Sequence, residues 1–300
     1  MTDNILDYTF NPGDKYIYLR EVLISHMQLS HSLLSKLKLQ QKIRVNGQIT
    51  FTNYKLQPGD QVTVNLDLEE NNCIEPQYIP LDIVFEDEDF LLINKPPGMA
   101  VHPVKHIPDG TLANAVSYYW MQRGKFNLFR PINRLDKDTS GLILIGQSQY
   151  AHQAIFRQMK TGTIKRHYQA LVEGVIQADK GCVDLPIARL NPRSCERTVD
   201  SSGKDALTNY TVLKRYEGYT LLLLTLGTGR THQIRVHLCQ LGYPICGDTR
   251  YGNSSPLINR QALHAGQLFF KHPRTDTTMN FEVQLPLDIV RLLENLKPLG

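Results

Sequence analysis

The chain has 300 residues, 41% of them hydrophobic, which is enough to bury a large core and to form more than one domain. Its 33 Lys and Arg against 29 Asp and Glu leave a formal charge of +4, compatible with an acidic partner. No apolar run approaches the length of a bilayer span, and MTDNILDYTF lacks a basic region followed by an apolar one. A soluble, cytoplasmic protein without membrane contact is therefore expected. The five cysteines (73, 182, 195, 239 and 246) form no C-x-x-C pair, which argues against a disulfide framework or a zinc knuckle.

In chain order, residues 1–72 read as a small module. Leu33, Leu34 and Leu37 mark one face of a short helix that Ser30 or Ser32 could cap. Asn46-Gly47 predicts a tight hairpin, because that dipeptide supplies two positive φ angles. Val62, Val64, Leu66 and Leu68 alternate with polar residues at the period of a half-buried strand. Glu69-Glu70-Asn71-Asn72 followed by Pro76 and Pro80 places a linker over 73–80, and residues 81–300 form the second domain. There, Ile83–Phe85 and Phe90–Ile93 read as strands, Leu112, Ala115, Val116 and Tyr119 as a helix face capped by Thr111, and Ile155, Phe156 and Met159 as another helix. The segments His167–Val172, Asn209–Leu213 and Tyr219–Leu226 read as further strands. Helices punctuate the strands irregularly rather than in a βαβ series, so the fold class is α+β.

Two segments carry chemistry. In Ile132–Gly146, Arg134 and Asp136 precede a Thr139-Ser140-Gly141 turn that runs into the apolar Leu142–Ile145 strand. A carboxylate on a loop braced by a core strand is held still, a favourable arrangement for catalysis. Asp136 and Asp138 could equally be turn formers. The second segment, Gly227–Leu238, follows a strand and opens a helix with Ile234, Leu238 and Leu241 on one face. Its glycines permit a tight turn, and the helix start offers N–H groups to an anion. It is neither a phosphate-binding P-loop nor G-x-G-x-x-G, and the plain alternative is a glycine turn before a surface helix. From Gly227 to Arg274 the only acid is Asp248, among six Lys and Arg, and Arg157, Lys160, Lys165 and Arg166 form a second basic stretch. A polyanion-binding face and an ordinary solvated surface both fit such clusters. His232 with His237, or His102 with His106, has the wrong spacing for a helical metal site, so no metal is expected.

RLDKDTSG and GTGRTHQIRVHL, with the earlier INKPPGMAVHP, closely resemble the RluA/RluD-type pseudouridine synthases, and the motifs fall in family order across about residues 81–300. The N-terminal module resembles the S4-like RNA-binding domain that many of these enzymes carry. The resemblance implies a pseudouridine synthase fold with a mainly antiparallel sheet, and an isomerase that needs no cofactor. It breaks the N1–C1′ bond of a uridine and rejoins C5 to C1′. It implies catalytic roles for Asp136 as nucleophile, Arg230 as its ion-pair partner and Tyr168 as the ring that stacks on the target base. Arg134 is the expected intruder into the vacated base stack, and Arg166, Lys95 and Arg235 the expected RNA contacts. The implied partner is structured RNA, ribosomal before transfer RNA, bound by a monomer. The near-neutral residues 1–72, with seven Lys and Arg against eight acids, weaken the ribosomal inference. The sequence departs from the family pattern at Asn133, where His is usual, and at Arg166, where Lys is common. Rival readings are a non-catalytic RNA-binding platform and a hydrolytic nucleosidase or glycosidase.

Overall fold

The computed structural model describes residues 4–70, 73–192 and 194–299. Met1 to Asp3 of the N-terminal reading and Asn71 and Asn72 of the predicted linker lie outside the described residues. The N-terminal unit runs through β1 (Ile5–Thr9), α1 (Leu19–Glu21), which continues as a wider helical turn over Val22–His26, and α2 (His31–Leu39). β2 (Ile43–Val45), β3 (Gln48–Ile49) and β4 (Gln61–Asn65) follow, and the antiparallel order is β1-β4-β2-β3. α2 buries Leu33, Leu34 and Leu37, and the Ser30 hydroxyl caps it by accepting from the Leu33 N–H at 3.1 Å. Asn46 (φ 50°) and Gly47 (φ 78°) turn the chain between β2 and β3, as the dipeptide predicted.

The second unit contains β5 (Ile83–Glu86), β6 (Phe90–Lys95), α3 (Leu112–Met121), β7 (Ser140–Gly146) and α4 (Gln149–Thr161). Next come β8 (Lys165–Glu173), β9 (Lys180–Asp184), the hairpin of β10 (Ile187–Arg189) and β11 (Arg197–Val199), β12 (Leu207–Tyr216) and β13 (Tyr219–Leu226). They are followed by α5 (Gln233–Gln240), β14 (Leu263–Lys271), β15 (Thr278–Glu282) and α6 (Leu287–Glu294). One sheet runs β5-β6-β7-β14-β8-β13-β12-β9, with β15 on β14, and only the β7–β14 pairing is parallel. This is the expected α+β class with a mainly antiparallel sheet. No helix among the described residues is long and apolar enough to cross a membrane.

β14 is the seam of this sheet. One edge pairs with β8; the other pairs first with β7, through His264–Ser140 and Ala265–Gly141, and then with β15. Glycine suits position 141, where φ is 113° and a Cβ would lie 2.2 Å from the Ala265 carbonyl oxygen. Where β7 diverges from β14, residues 130–133 pair with it instead. Ile132 N–H donates to Leu144 O at 2.7 Å, and Gly146 N–H donates to Arg130 O at 2.9 Å.

The two sheet faces are separate cores. Ile143, Ile145, Leu222 and Leu224 pack on one face. On the other, Leu142, Leu144, Leu268 and Phe270 meet Ala151 and Ile155 of α4. Tyr150 of α4 inserts into the N-terminal core, and Arg274 bridges the units, donating to Ile5 O at 2.7 Å and to both Asp89 carboxylate oxygens at 2.6 and 2.9 Å.

Candidate active site

The loop that carries Asp136 begins where residues 130–133 leave β7. Asn133 closes the ladder with its side chain. Its Oδ1 accepts from Leu144 N–H at 2.8 Å and its Nδ2 donates to Leu142 O at 2.9 Å, so one amide does what a peptide group would do. Beyond it, Arg134 and Asp136 turn into a cleft also lined by Thr139, Tyr168 and Leu263.

Two buried cations hold this loop from beneath. Lys95 is fully buried, and its Nζ donates to the carbonyls of Pro96, Met99 and Lys137 at 2.8, 2.9 and 3.0 Å. Burial pulls this ammonium down to about 7, against the opposing charge of Asp138. Arg260 donates to Asp138 O at 3.0 Å and forks onto Asp288 of α6 at 2.6 and 2.9 Å. Gln261 reaches the Thr139 hydroxyl at 3.2 Å.

The facing wall comes from the glycine loop and α5. Gln233 ties the loop to β12: its Oε1 accepts from Arg230 N–H at 2.9 Å and from the Thr228 hydroxyl at 2.8 Å, while its Nε2 donates to Leu207 O at 2.9 Å. Arg235, one turn into α5, donates from Nη1 to Asp136 Oδ2 at 2.9 Å. Its Nε and Nη2 each reach an oxygen of buried Asp248 at 2.7 Å. Burial disfavours the Arg235 charge, yet the bonds and charges of Asp248 and Asp136 hold its pKa above the ordinary guanidinium value. Tyr251 lies under the guanidinium, with its ring centroid 5.1 Å away.

The cleft brings together Asp136, Tyr168, Arg230, Arg134 and Arg235, but the ion pair differs from the expected one. Arg230 precedes α5 on the exposed loop, where its Nε donates to Asp205 O at 2.9 Å. Arg235, read from sequence as an RNA contact, is the partner of Asp136, because its position on α5 faces inward. Lys95 and Arg166, also read as RNA contacts, are both buried. Lys95 is consumed by the three carbonyls. Arg166 lies beneath the glycine loop and donates to Thr228 O at 3.2 Å, and a Cβ on Gly229 would stand 2.9 Å from its Nη1. Arg134 alone of the four RNA-contact residues is exposed. Tyr168 is buried, and burial raises its hydroxyl pKa, with Asp136 adding to the rise and Arg166 opposing it.

Sequence reasoning missed Asp248, Tyr251, Gln233 and the placement of His232. The available signal for Asp248 was its isolation, since a lone acid within a run of basic residues is a natural buried partner for one of them.

Residues 89–240 match a family described as RNA pseudouridylate synthase. The chain is 42% identical over 275 residues to the "Uncharacterized RNA pseudouridine synthase YlyB" of Bacillus subtilis (strain 168), a match covering 89% of this chain and 91% of that protein. It is 37% identical over 283 residues to the "Ribosomal large subunit pseudouridine synthase D" of Escherichia coli (strain K12), covering 89% and 86% respectively. Among solved structures, human RNA Pseudouridylate Synthase Domain Containing 1 matches with a TM-score of 0.60 and 27% identity, over 77% of this chain and 91% of that one.

Proposed function

Because the chain belongs to the RNA pseudouridylate synthase family and is an RNA-modifying isomerase, we propose that it converts a uridine of ribosomal RNA with Asp136 as the nucleophile. The observation that carries this reading is the Asp136–Arg235–Asp248 array, with one carboxylate opening onto the cleft and the other buried. The buried acid fixes the arginine, and the arginine fixes Asp136 through a single oxygen. Among the described residues no hydrogen bond reaches the other oxygen, Oδ1.

In this scheme the N1–C1′ bond breaks, the freed uracil turns, and C5 bonds to C1′. The C5 hydrogen leaves as a proton and N1 takes one up, so composition is conserved and no cofactor enters. Asp136 attacks within the nucleoside, Tyr168 offers a ring face to the extruded base, and exposed Arg134 fills the vacated stack. Extruding a base costs a few kcal/mol, which these contacts offset. The ribosomal target follows the name carried by the Escherichia coli relative. We read residues 1–72 as an S4-like RNA-binding domain, 73–80 as a linker, and the whole as a cytoplasmic monomer.

The test is tritium release from RNA labelled at uridine C5, prepared from cells lacking this gene. Wild type should release tritium and Asp136→Asn should not. Release by the variant at the wild-type rate would remove Asp136 as nucleophile. RNA binding by wild type without release would make the domain a platform.

A further inference from the structure

Asp136 has a second neighbour that the ion pair leaves without a task. His232 Nε2 stands 3.8 Å from Asp136 Oδ1, on the opposite side of the carboxylate from the Arg235 bond to Oδ2. We propose that His232 is a positioning residue for Asp136: a neutral imidazole, set by Tyr251 in its Nε2–H tautomer, whose hydrogen closes onto Oδ1 when RNA fills the cleft. The inference rests on Asp136 as the reacting carboxylate.

Three observations carry it. The first is the hydrogen count at Tyr251. Its hydroxyl oxygen accepts from Arg197 N–H at 2.8 Å and lies 2.7 Å from His232 Nδ1. A phenol has one hydrogen to give. Among the described residues Nδ1 is the one acceptor that this hydroxyl meets. The hydroxyl therefore donates to Nδ1, and the imidazole hydrogen sits on Nε2, facing Asp136.

The second is the backbone. His232 has φ 56°, one of five non-glycine residues with positive φ among those described, and it occupies the N-cap of α5 without making a side-chain cap bond. Gln233 serves the loop instead. A strained residue released from capping and aimed into a cleft is the pattern of a functional position.

The third is charge. Arg235, Arg250 and Arg197 surround the ring along with Asp136. Burial is the main force lowering its pKa, and the arginines lower it further, with only Asp136 opposing. The ring stays neutral near pH 7.

A donor on each oxygen fixes the carboxylate plane, which one arginine contact leaves free to rotate about Cβ–Cγ. The gap of 3.8 Å exceeds a hydrogen bond. Such contacts commonly tighten only once substrate is bound.

The test uses full-length protein labelled with 15N-histidine and long-range 1H–15N correlation, with His232→Phe identifying the signal. At pH 7.5 His232 should show the Nε2–H tautomer, and Tyr251→Phe should convert it to a mixture. In single-turnover assays on RNA, His232→Phe should lower the rate roughly 10- to 100-fold, as expected for a lost hydrogen bond to a charged group, with RNA affinity unchanged. A wild-type Nδ1–H tautomer or an imidazolium at pH 7.5 would overturn the proposal, and so would a folded His232→Phe variant that turns over at the wild-type rate. Should His232→Phe fail to fold, His232→Gln identifies the signal and the wild-type tautomer decides the matter. Activity in Asp136→Asn would instead fail the nucleophile assignment, a separate result.

Discussion

At the scale of single residues, the position of one helix start decides which arginine meets Asp136. Arg230 and Arg235 are five apart in one motif, and nothing in their spacing tells them apart. The turn at His232 does so, by leaving Arg230 on the loop and rotating Arg235 inward. We expect Arg230→Ala to keep activity within about fivefold of wild type, since among the described residues its side chain is tied to a single backbone carbonyl. Arg235→Lys should cost far more. A lysine cannot reproduce the fork onto Asp248 together with the contact to Asp136. Full removal of Arg235 strands a buried carboxylate, for which about 3–5 kcal/mol is the ordinary cost. Urea melts beside single-turnover rates for the two variants would check both statements. Asn133 belongs here too. Its departure from the family's usual His removes any acid–base role, and the structure shows a backbone-mimicking one. Asn133→Ala leaves a buried N–H and a buried carbonyl unpaired, so we expect roughly 2–4 kcal/mol of destabilisation. A denaturant midpoint equal to wild type would contradict this.

At the scale of elements, helix α2, the Asn46-Gly47 hairpin and the strand before Gly227 were all legible in the sequence, with Ser30 one of the two serines read as the possible helix cap. The helix and the hairpin depend on contacts a few residues apart, and the strand on its own apolar run Leu221–Leu224. What was not legible is what supports the loop that carries Asp136. Lys95 reads as a surface cation at the end of a strand, because a chain gives no sign that three carbonyls 1, 4 and 42 residues away converge on one ammonium. Its burial has a pH signature. The folded pKa, about 7, lies below the unfolded value near 10.5, so between these the unfolded chain binds more protons. Wild-type stability, measured against Lys95→Met, should therefore rise as pH increases from about 7 towards 10 and level off below 7. A difference that falls with rising pH over this window would refute the assignment. Catalysis should respond oppositely. The neutral amine has two hydrogens for three carbonyls, so the hold on the loop weakens above pH 7 and the rate declines on the alkaline side.

At the scale of the whole molecule, the two units are joined through α4 and Arg274. Arg274→Leu should strand Asp89, which is 1% exposed, leaving the His272 ring, 3.6 Å away, as its remaining basic neighbour among the described residues. It also removes the bond to Ile5 O. We expect early cleavage between the units in limited proteolysis, with the second unit still intact as a resistant core. Equal resistance of variant and wild type would show that other contacts, such as Tyr150 in the N-terminal core and Arg157 donating to Gln28 O at 3.2 Å, suffice to hold the units together. The pairing of residues 269 apart was beyond any local pattern, since both partners look like ordinary surface charges or backbone.

The seam strand sets the order in which this enzyme can become active on the ribosome. Strands β5 to β7 and strands β8, β9, β12 and β13 have no direct pairing across the seam, and only β14, beginning at residue 263, brings them into one sheet. Asp136 belongs to the first group and Arg235 to the second. At about 5–20 residues per second, the first group waits on the order of 10 s or longer after emerging before its zipper is synthesised. Until then the nascent chain carries both halves of the candidate site and no assembled site. A chain released before β14 should therefore be inert whatever RNA surrounds it.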